Sequence, residues 1–427
     1  MSSEIILYSA SAFFVFLGLL NSFKVSHSLA HIKKRQKNLA AKKAEYCPDV
    51  FVLIPVLREA KIIGNSLENF SRLKYPADKL NIVVVTTEKE HETFSEPDTP
   101  EVVKTKITLL NKRLEREAFL HIHYPNKDGV KSDQLNYAIE KLSQKFPSRF
   151  QDNTYIGVYD ADSSTNDDVI ELLAADGSVN GWADAYQQPT LYIKNHPGGN
   201  ILAGSFSLLQ TAFAFYHENY NLITASKMRY LIGHGLFVKW SSLKEAGLFP
   251  TPVEDTRLGH IFSYLKKDIR LLPSFDTVET APRITARIRQ ASVWFIGESY
   301  FWMDRKIATK IKPIPSLRIL WLGTYKLYRN AVWMFRGGIL LILLALLIYK
   351  FGPIALLPPL IYLTLPIVIL ISKLDQINVS WPKILFSLLL SPVEFLFMSL
   401  GPLVGFIKTS IFRSDNKNFL FPKTERV

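Results

Sequence analysis

Asp160 and Asp162 stand one residue apart at the end of an apolar run, Tyr155-Ile156-Gly157-Val158-Tyr159. At a strand end such a pair can lean on one divalent metal and the diphosphate it carries. Hard cations take oxygen ligands, and Mg²⁺ is usually held by one or two carboxylates plus substrate phosphates. A solvated loop gives the same spacing by chance, so the pair carries weight only in company. Lys127-Asp128-Gly129-Val130-Lys131, with Asn136 beyond it, offers a flexible glycine and a cation before a helix start. That combination suits a diphosphate, and a solvated basic loop reads the same way. Gly233-His234-Gly235 is a tight loop where backbone could approach a substrate, although a lone histidine is more often structural. Pro252-Val253-Glu254-Asp255-Thr256 opens a helix, where carboxylates are stabilised by the dipole. Asp255 is therefore either an N-cap or a general base, which must reach a substrate hydroxyl with a suitable pKa. Gln290 and Trp294, four apart, share one helix face; alone, the pair reads as core packing.

The elements that must position these residues alternate. Asp49–Pro55, Leu80–Thr86, Phe119–Tyr124 and Tyr155–Tyr159 read as apolar strands, and Glu59–Leu73 carries helical spacing at Ile62, Ile63, Leu67 and Phe70. Continuous apolar strands separated by helices imply a parallel sheet covered on both faces, with ligands beyond the strands' carboxyl ends. Arg58-Glu59, Thr86-Thr87-Glu88 and Asp160-Ala161-Asp162 all fall there and could face one crevice. Gln187-Gln188-Pro189 closes a further strand-like stretch.

The 427 residues leave room for two or three domains, with 48% hydrophobic residues unevenly spread. Ile5–Val25 is nearly uncharged and has the length of about 20 residues that a bilayer helix needs. Met-Ser-Ser-Glu before it is not the basic start of a signal peptide. Lys33, Lys34, Arg35, Lys37, Lys42 and Lys43 follow, so the chain enters the cytoplasm after this helix by the positive-inside rule. Ala331–Phe351, Gly352–Ser372 and Ile384–Phe412 are long and apolar again. The last, with Glu394 and Pro402, reads as a bent span, a re-entrant segment or two short passes. Three single passes would put the basic tail (Lys408, Arg413, Lys417, Lys423, Arg426) outside, against that rule. Leu317, Leu320, Trp321, Leu327 and Tyr328 form an apolar stripe opposite Arg318, Lys326 and Arg329, the pattern of an interfacial helix or of one buried against the catalytic domain. A net charge of +13 suits an anionic membrane face. With the charge in juxtamembrane segments and no aromatic-basic module, nucleic acid is not an expected partner. A single cysteine, Cys47, rules out an intramolecular disulfide or a cysteine-based metal cluster.

The order Ile54-Pro55…Arg58-Glu59, Lys131…Asn136, Asp160-Ala161-Asp162, Glu254-Asp255 and Gln290…Trp294 resembles the membrane-bound family 2 glycosyltransferases, which include cellulose, hyaluronan and chitin synthases and ceramide glucosyltransferases. The resemblance covers residues 48–300. It implies an α/β GT-A fold with a mostly parallel, Rossmann-like sheet there, after an N-terminal transmembrane helix (1–30). Amphipathic interfacial helices (301–330), C-terminal transmembrane helices (331–412) and a basic tail (413–427) would follow. The implied activity is inverting transfer from a nucleotide-diphosphate sugar, with Mg²⁺ or Mn²⁺, to a lipid or growing glycan. The protein would be integral to the plasma or inner membrane, its catalytic domain cytoplasmic, with an oligomer compatible. The donor would meet Pro55, Glu59, Thr86, Lys131, Asp160, Gln290 and Trp294, and Asp162 would ligate the metal. Asp255, beside Glu254, would be the base, with the acceptor near Gln188, His234 and Gly235. Two positions depart from the family pattern. The usual Gln-x-x-Arg-Trp has Val293 at the arginine position, unless Arg287 or Arg289 substitutes, and the second strand ends in Thr86-Thr87 where the pattern has an acid. The alternatives are a processive, exporting synthase, an inactive relative acting as a membrane scaffold and, last, a transporter.

Overall fold

A computed structural model describes residues 2–92, 98–194, 201–224, 230–281, 283–374 and 381–410; the basic tail 413–427 lies outside them. A long helix α1 (Ser2–Ala40) leads into alternating strands and helices: β1 (Val50–Pro55), α2 (Ala60–Phe70), β2 (Leu80–Thr87), α3 (Thr99–Leu114), β3 (Phe119–Tyr124), α4 (Lys131–Lys145) and β4 (Tyr155–Val158). Then come β5 (Ser164–Thr165), α5 (Val169–Asn180), β6 (Ala185–Gln187), β7 (Thr190–Leu191), α6 (Ile201–Phe213), a π-helical turn (Ala214–Asn219) and α7 (Tyr220–Thr224). The domain closes with β8 (Leu236–Lys239), α8 (Trp240–Glu245), α9 (Glu254–Leu265), β9 (Ile269–Leu271), β10 (Asp276–Thr277) and α10 (Ile284–Ser299). Last come α11 (Phe301–Ile311), α12 (Ser316–Phe351), α13 (Leu357–Lys373) and α14 (Trp381–Ser410).

Seven strands form one sheet in the order β3-β2-β1-β4-β8-β6-β9. β3, β2, β1 and β4 are mutually parallel, with Val52 level with both Ile82 and Gly157. The expected α/β class holds. β8 is the exception, antiparallel to both β4 and β6, and its four residues carry too little pattern to betray direction. Side chains alternate between the sheet's faces, and each face has its own core. Val52, Ile54, Ile82 and Val84 meet α2, α3 and α5 through Ile63, Leu67, Val103 and Ile170. Phe51, Leu53, Val83 and Val85 meet α4 and α9 through Leu135, Ile139, Leu258 and Phe262. A small sheet, β5-β10-β7, brings Asp276 beside the first sheet's carboxyl edge.

Among the described residues, four helical stretches are long and apolar enough to cross a membrane: Tyr8–Ala40, Ser316–Phe351, Pro353–Lys373 and Pro392–Ser410. The interfacial stripe and the second apolar segment, expected as separate pieces, belong to one unbroken helix, α12, whose 36 residues reach about 54 Å at 1.5 Å per residue. Its polar face docks on the sheet domain, where Arg318 donates to the carbonyls of Ser263 and Tyr264, while Leu317, Leu320, Leu327 and Tyr328 remain exposed. α14 lies along α10. A Cβ on Gly405 would come within 2.8 Å of the Ser292 carbonyl, and one on Gly401 would collide with Ala291, so the two backbones touch only because these residues are glycine.

Candidate active site

A cavity of about 1170 Å³ opens at the carboxyl ends of the parallel strands. The chain leaves β1 at Pro55 and turns sharply, with Arg58 at φ 55°. The turn is pinned by Glu90, whose carboxylate accepts from the backbone N–H of Arg58 and of Thr99, each at 2.9 Å. Glu59 is buried, and its N–H donates to the Thr99 hydroxyl. Pro55, Arg58 and Glu59 line one end of the cavity together with Lys89.

β4 then delivers Asp160 and Asp162, both lining the same cavity. Lys131, at the start of α4, donates from Nζ to Asp160 Oδ1 and to the Gly233 carbonyl, each at 2.7 Å, and stands 3.5 Å from Glu254 Oε1. Burial would lower its pKa, but Asp160, Glu254 and Asp255 outweigh burial and hold the ammonium above its ordinary value. Asp162 is buried and accepts the Glu279 N–H at 3.0 Å. Two carboxylates beside an open cavity are the usual protein share of a Mg²⁺ or Mn²⁺ shell, with diphosphate oxygens supplying more. Among the described residues no three His, Cys, Asp or Glu side chains group into a metal cage. The residues therefore fit an ion that arrives with its phosphates.

Opposite this pair, α9 begins at Glu254, with Val253 at φ 56° as its N-cap. Asp255 is thus not the cap residue, although its Oδ1 accepts the Thr256 N–H at 2.6 Å. Burial raises both carboxyls, Glu254 to about 7, and the neighbouring charges oppose each other; Lys131 pulls the other way. Gly233 fits between the elements: a Cβ there would lie 2.9 Å from Asp255 Oδ2 and 3.1 Å from Lys131 Nζ. His234 lines the cavity and bonds Asp276 through Nδ1 at 2.7 Å. Burial would lower the imidazole, but Asp276, with Asp160 and Asp162 behind it, raises it.

α10 brings Gln290, Val293 and Trp294 to the wall. Arg287, not Arg289, lines the cavity near the vacant arginine position: it is buried, donates to Gln290 Oε1 at 2.9 Å and lies 5.9 Å from the Trp294 ring centroid.

The fold directs four expected residues elsewhere. Thr86 is fully buried, its hydroxyl 2.7 Å from His121 Nε2 and 2.9 Å from His123 Nδ1, away from the cavity. It sits within β2 rather than past its end. Gln188 is fully buried and hydrogen-bonded to the Tyr159 hydroxyl, Thr165 and the Ser274 carbonyl. Gly235, at φ 58°, turns the chain against Asp276 and Gln188 without reaching the cavity wall. Asn136 clamps the backbone of Phe249, donating to its carbonyl and accepting its N–H.

Other lining residues escaped the sequence reading: Lys89, Glu218, Tyr230, Glu279, Arg329 and Arg336. Two carried a signal: Arg329 as a charge opposite the apolar stripe, and Arg336 as a charge inside an apolar span. Asp276, behind His234, lies on a two-residue strand with no pattern to read.

No protein-family model matches the sequence, and no curated protein matches it. Among solved structures, a mannosyltransferase, PcManGT, from Pyrobaculum calidifontis in complex with GDP-Man and Mn²⁺ is similar at 16% identity and a TM-score of 0.48, over 91% of this chain and 99% of that chain. Residues 1–349 of S. aureus TarS in complex with UDP-GlcNAc give 13% and 0.39, over 84% and 91%. A further S. aureus TarS structure gives 15% and 0.35, over 62% and 42%. At such values these are likenesses only, and the α/β fold is read from the sheet itself.

Proposed function

We propose that the protein is an inverting, membrane-bound glycosyltransferase that takes a nucleotide-diphosphate sugar. The observation that supports this best is one cavity with Asp160 and Asp162 on one wall, Asp255 on the other and Lys131 between them. Pro55, Arg58, Glu59 and Lys89 would receive the nucleoside. Asp160 and Lys131 would orient the sugar diphosphate, and Asp162 would hold Mg²⁺ or Mn²⁺. When bound, the metal supplies Lewis-acid neutralisation of the leaving diphosphate. Asp255, kept from early ionisation by burial, would take the proton of an acceptor hydroxyl. That oxygen bonds to the anomeric carbon as the carbon–phosphate oxygen bond breaks on the opposite face, so the configuration inverts. Arg287, at the cavity wall on α10, supplies a cation where Val293 cannot.

The membrane part of the reading assigns α1, α12 and α13 as crossings. Lys33 Nζ donates to the Lys373 carbonyl at 3.0 Å and Lys373 Nζ to the Ser26 hydroxyl at 3.1 Å, so the carboxyl end of α13 lies beside the carboxyl-terminal part of α1. α14 touches the sheet domain's helices near both its ends, through Ser387 to Ser205 and through Gly405 to Ser292. It would therefore lie shallowly in the bilayer instead of crossing, keeping the basic tail on the catalytic side. The positive-inside rule is then satisfied.

The test is a panel of sugar nucleotides screened for metal-dependent thermal stabilisation, since a bound ligand raises stability. The matching donor should lose its effect in Asp162→Ala. Asp255→Asn should keep donor binding and lose transfer by about 10²–10⁴-fold. Undiminished transfer by Asp255→Asn would remove the base, and no metal-dependent donor would remove the whole reading.

A further inference from the structure

The cavity does not end at the catalytic carboxylates. It continues into a chamber walled by Phe13 and Leu17 of α1, Leu340 and Leu343 of α12, and Phe395 and Met398 of α14. The strand-end half is polar and acidic, and the far half is almost wholly apolar and lies among helices assigned to the bilayer. A cavity of this kind suits a molecule with a polar head and a hydrocarbon chain.

Between the halves runs a belt of charge. Lys326 and Arg329 share the carboxylate of Glu298. Arg287 stands 3.6 Å from Glu394. Glu218, hydrogen-bonded by the Tyr230 hydroxyl at 2.9 Å, is raised by burial to about 7. Arg287, Arg329 and Arg336 thus line this stretch of the wall together with Glu218, Glu298 and Glu394. Arg287 and Arg329 each have a carboxylate within 4 Å, and Arg336 is the cation of this wall with none that close among the described residues. Among the described residues its guanidinium has no hydrogen bond or close ion pair: it rests 4.4 Å over the Phe395 ring and 5.7 Å over the Phe213 ring, with Glu394 acting at longer range. Its Nε is buried without a partner. A guanidinium at membrane depth is costly unless an anion meets it, and it matches phosphate in shape and charge.

We propose that this chamber binds the acceptor, and that the acceptor is a lipid with phosphate in its head group. Its chain lies among α1, α12 and α14, its phosphate is met by Arg336 with Arg329 beside it, and the hydroxyl beyond the phosphate reaches Asp255. The inference rests on the transferase reading for the role of Asp255, but lipid binding itself does not require it.

The test uses the purified full-length chain in neutral detergent, with thermal shift and native mass spectrometry as readouts. The phosphate-headed probes are a prenyl-diphosphate-linked monosaccharide and phosphatidylinositol. Ceramide and diacylglycerol are the neutral ones, and inorganic phosphate is tested alone. A phosphate-headed lipid should stabilise and be retained, and the neutral lipids and free phosphate should not. Arg336→Gln should weaken retention at least tenfold, and Leu343→Trp, which fills the chamber, should do the same. Sugar-nucleotide binding is measured on each variant to show that the sheet domain is folded. Equal retention of neutral lipids, stabilisation by phosphate alone, or full retention by Arg336→Gln would overturn the proposal. Donor binding without lipid retention defeats this inference alone, and lipid retention without any sugar-nucleotide donor defeats the transferase reading alone.

Discussion

Lys131 is the residue on which the site's electrostatics turn. It is the cation between Asp160 on one wall and Glu254 and Asp255 on the other, and it opposes the upward shift that burial imposes on both α9 carboxyls. A base must be ionised to accept a proton, so transfer should rise with pH as this pair deprotonates, near neutrality given Glu254 at about 7. Lys131→Gln removes the opposing charge, so the carboxyls should hold their protons longer. The rising limb of the pH–rate profile should then move to higher pH, and a limb that stays in place would show that Lys131 does not govern the pair. The sign for stability follows from linkage. A carboxyl raised in the folded state favours the protonated fold, so its contribution is present below the unfolded pKa and fades as pH climbs to about 7. That Asp160 and Asp162 face one cavity was legible, because their type and their spacing at a strand end show in the sequence. Asp276 was not, because its part depends on a contact with His234 from 42 residues away in the chain.

At the scale of elements, α4 separates two residues that the sequence placed in one motif. Lys131 begins the helix and faces the cavity. Asn136, more than a turn later, points away and pairs with both backbone groups of Phe249, in the segment that leads into α9. Asn136→Ala should therefore destabilise the fold by about 1–3 kcal/mol, since it leaves buried backbone groups unpaired. Denaturant unfolding measures that loss. Donor affinity at temperatures where the variant is folded should remain, and a selective loss of donor binding would restore Asn136 to the diphosphate. β1, β2, β3 and β4 were legible because each is a continuous apolar run, as a sheet covered on both faces requires. β8 and the small sheet were not, because strands of two to four residues show no period.

The whole molecule is a sheet domain set on a helical bundle, joined by α10, α12 and α14. If α1, α12 and α13 cross and α14 does not, the two ends of the chain lie on opposite sides. In a Cys47→Ser background, a cysteine in place of Lys417 should react with impermeant maleimide only from the side that labels a cysteine in place of Lys33. Ile354→Cys, in the exposed turn between α12 and α13, should label only from the other side. Labelling of position 417 together with position 354 would make α14 a fourth crossing.

Sequence alone determined what local pattern encodes. Apolar runs of strand length marked the parallel strands, runs of about 20 residues marked the candidate spans, and paired carboxylates with ordered company suggested the chemistry proposed above. It could not show that Arg287 would line the cavity near Val293, that Thr86 and Gln188 would be buried away from the cavity, or that Arg336 would face the neck of an apolar chamber. Those outcomes depend on contacts between residues far apart in the chain. Periodicity reports the environment of one element, and only the packed structure decides which elements meet.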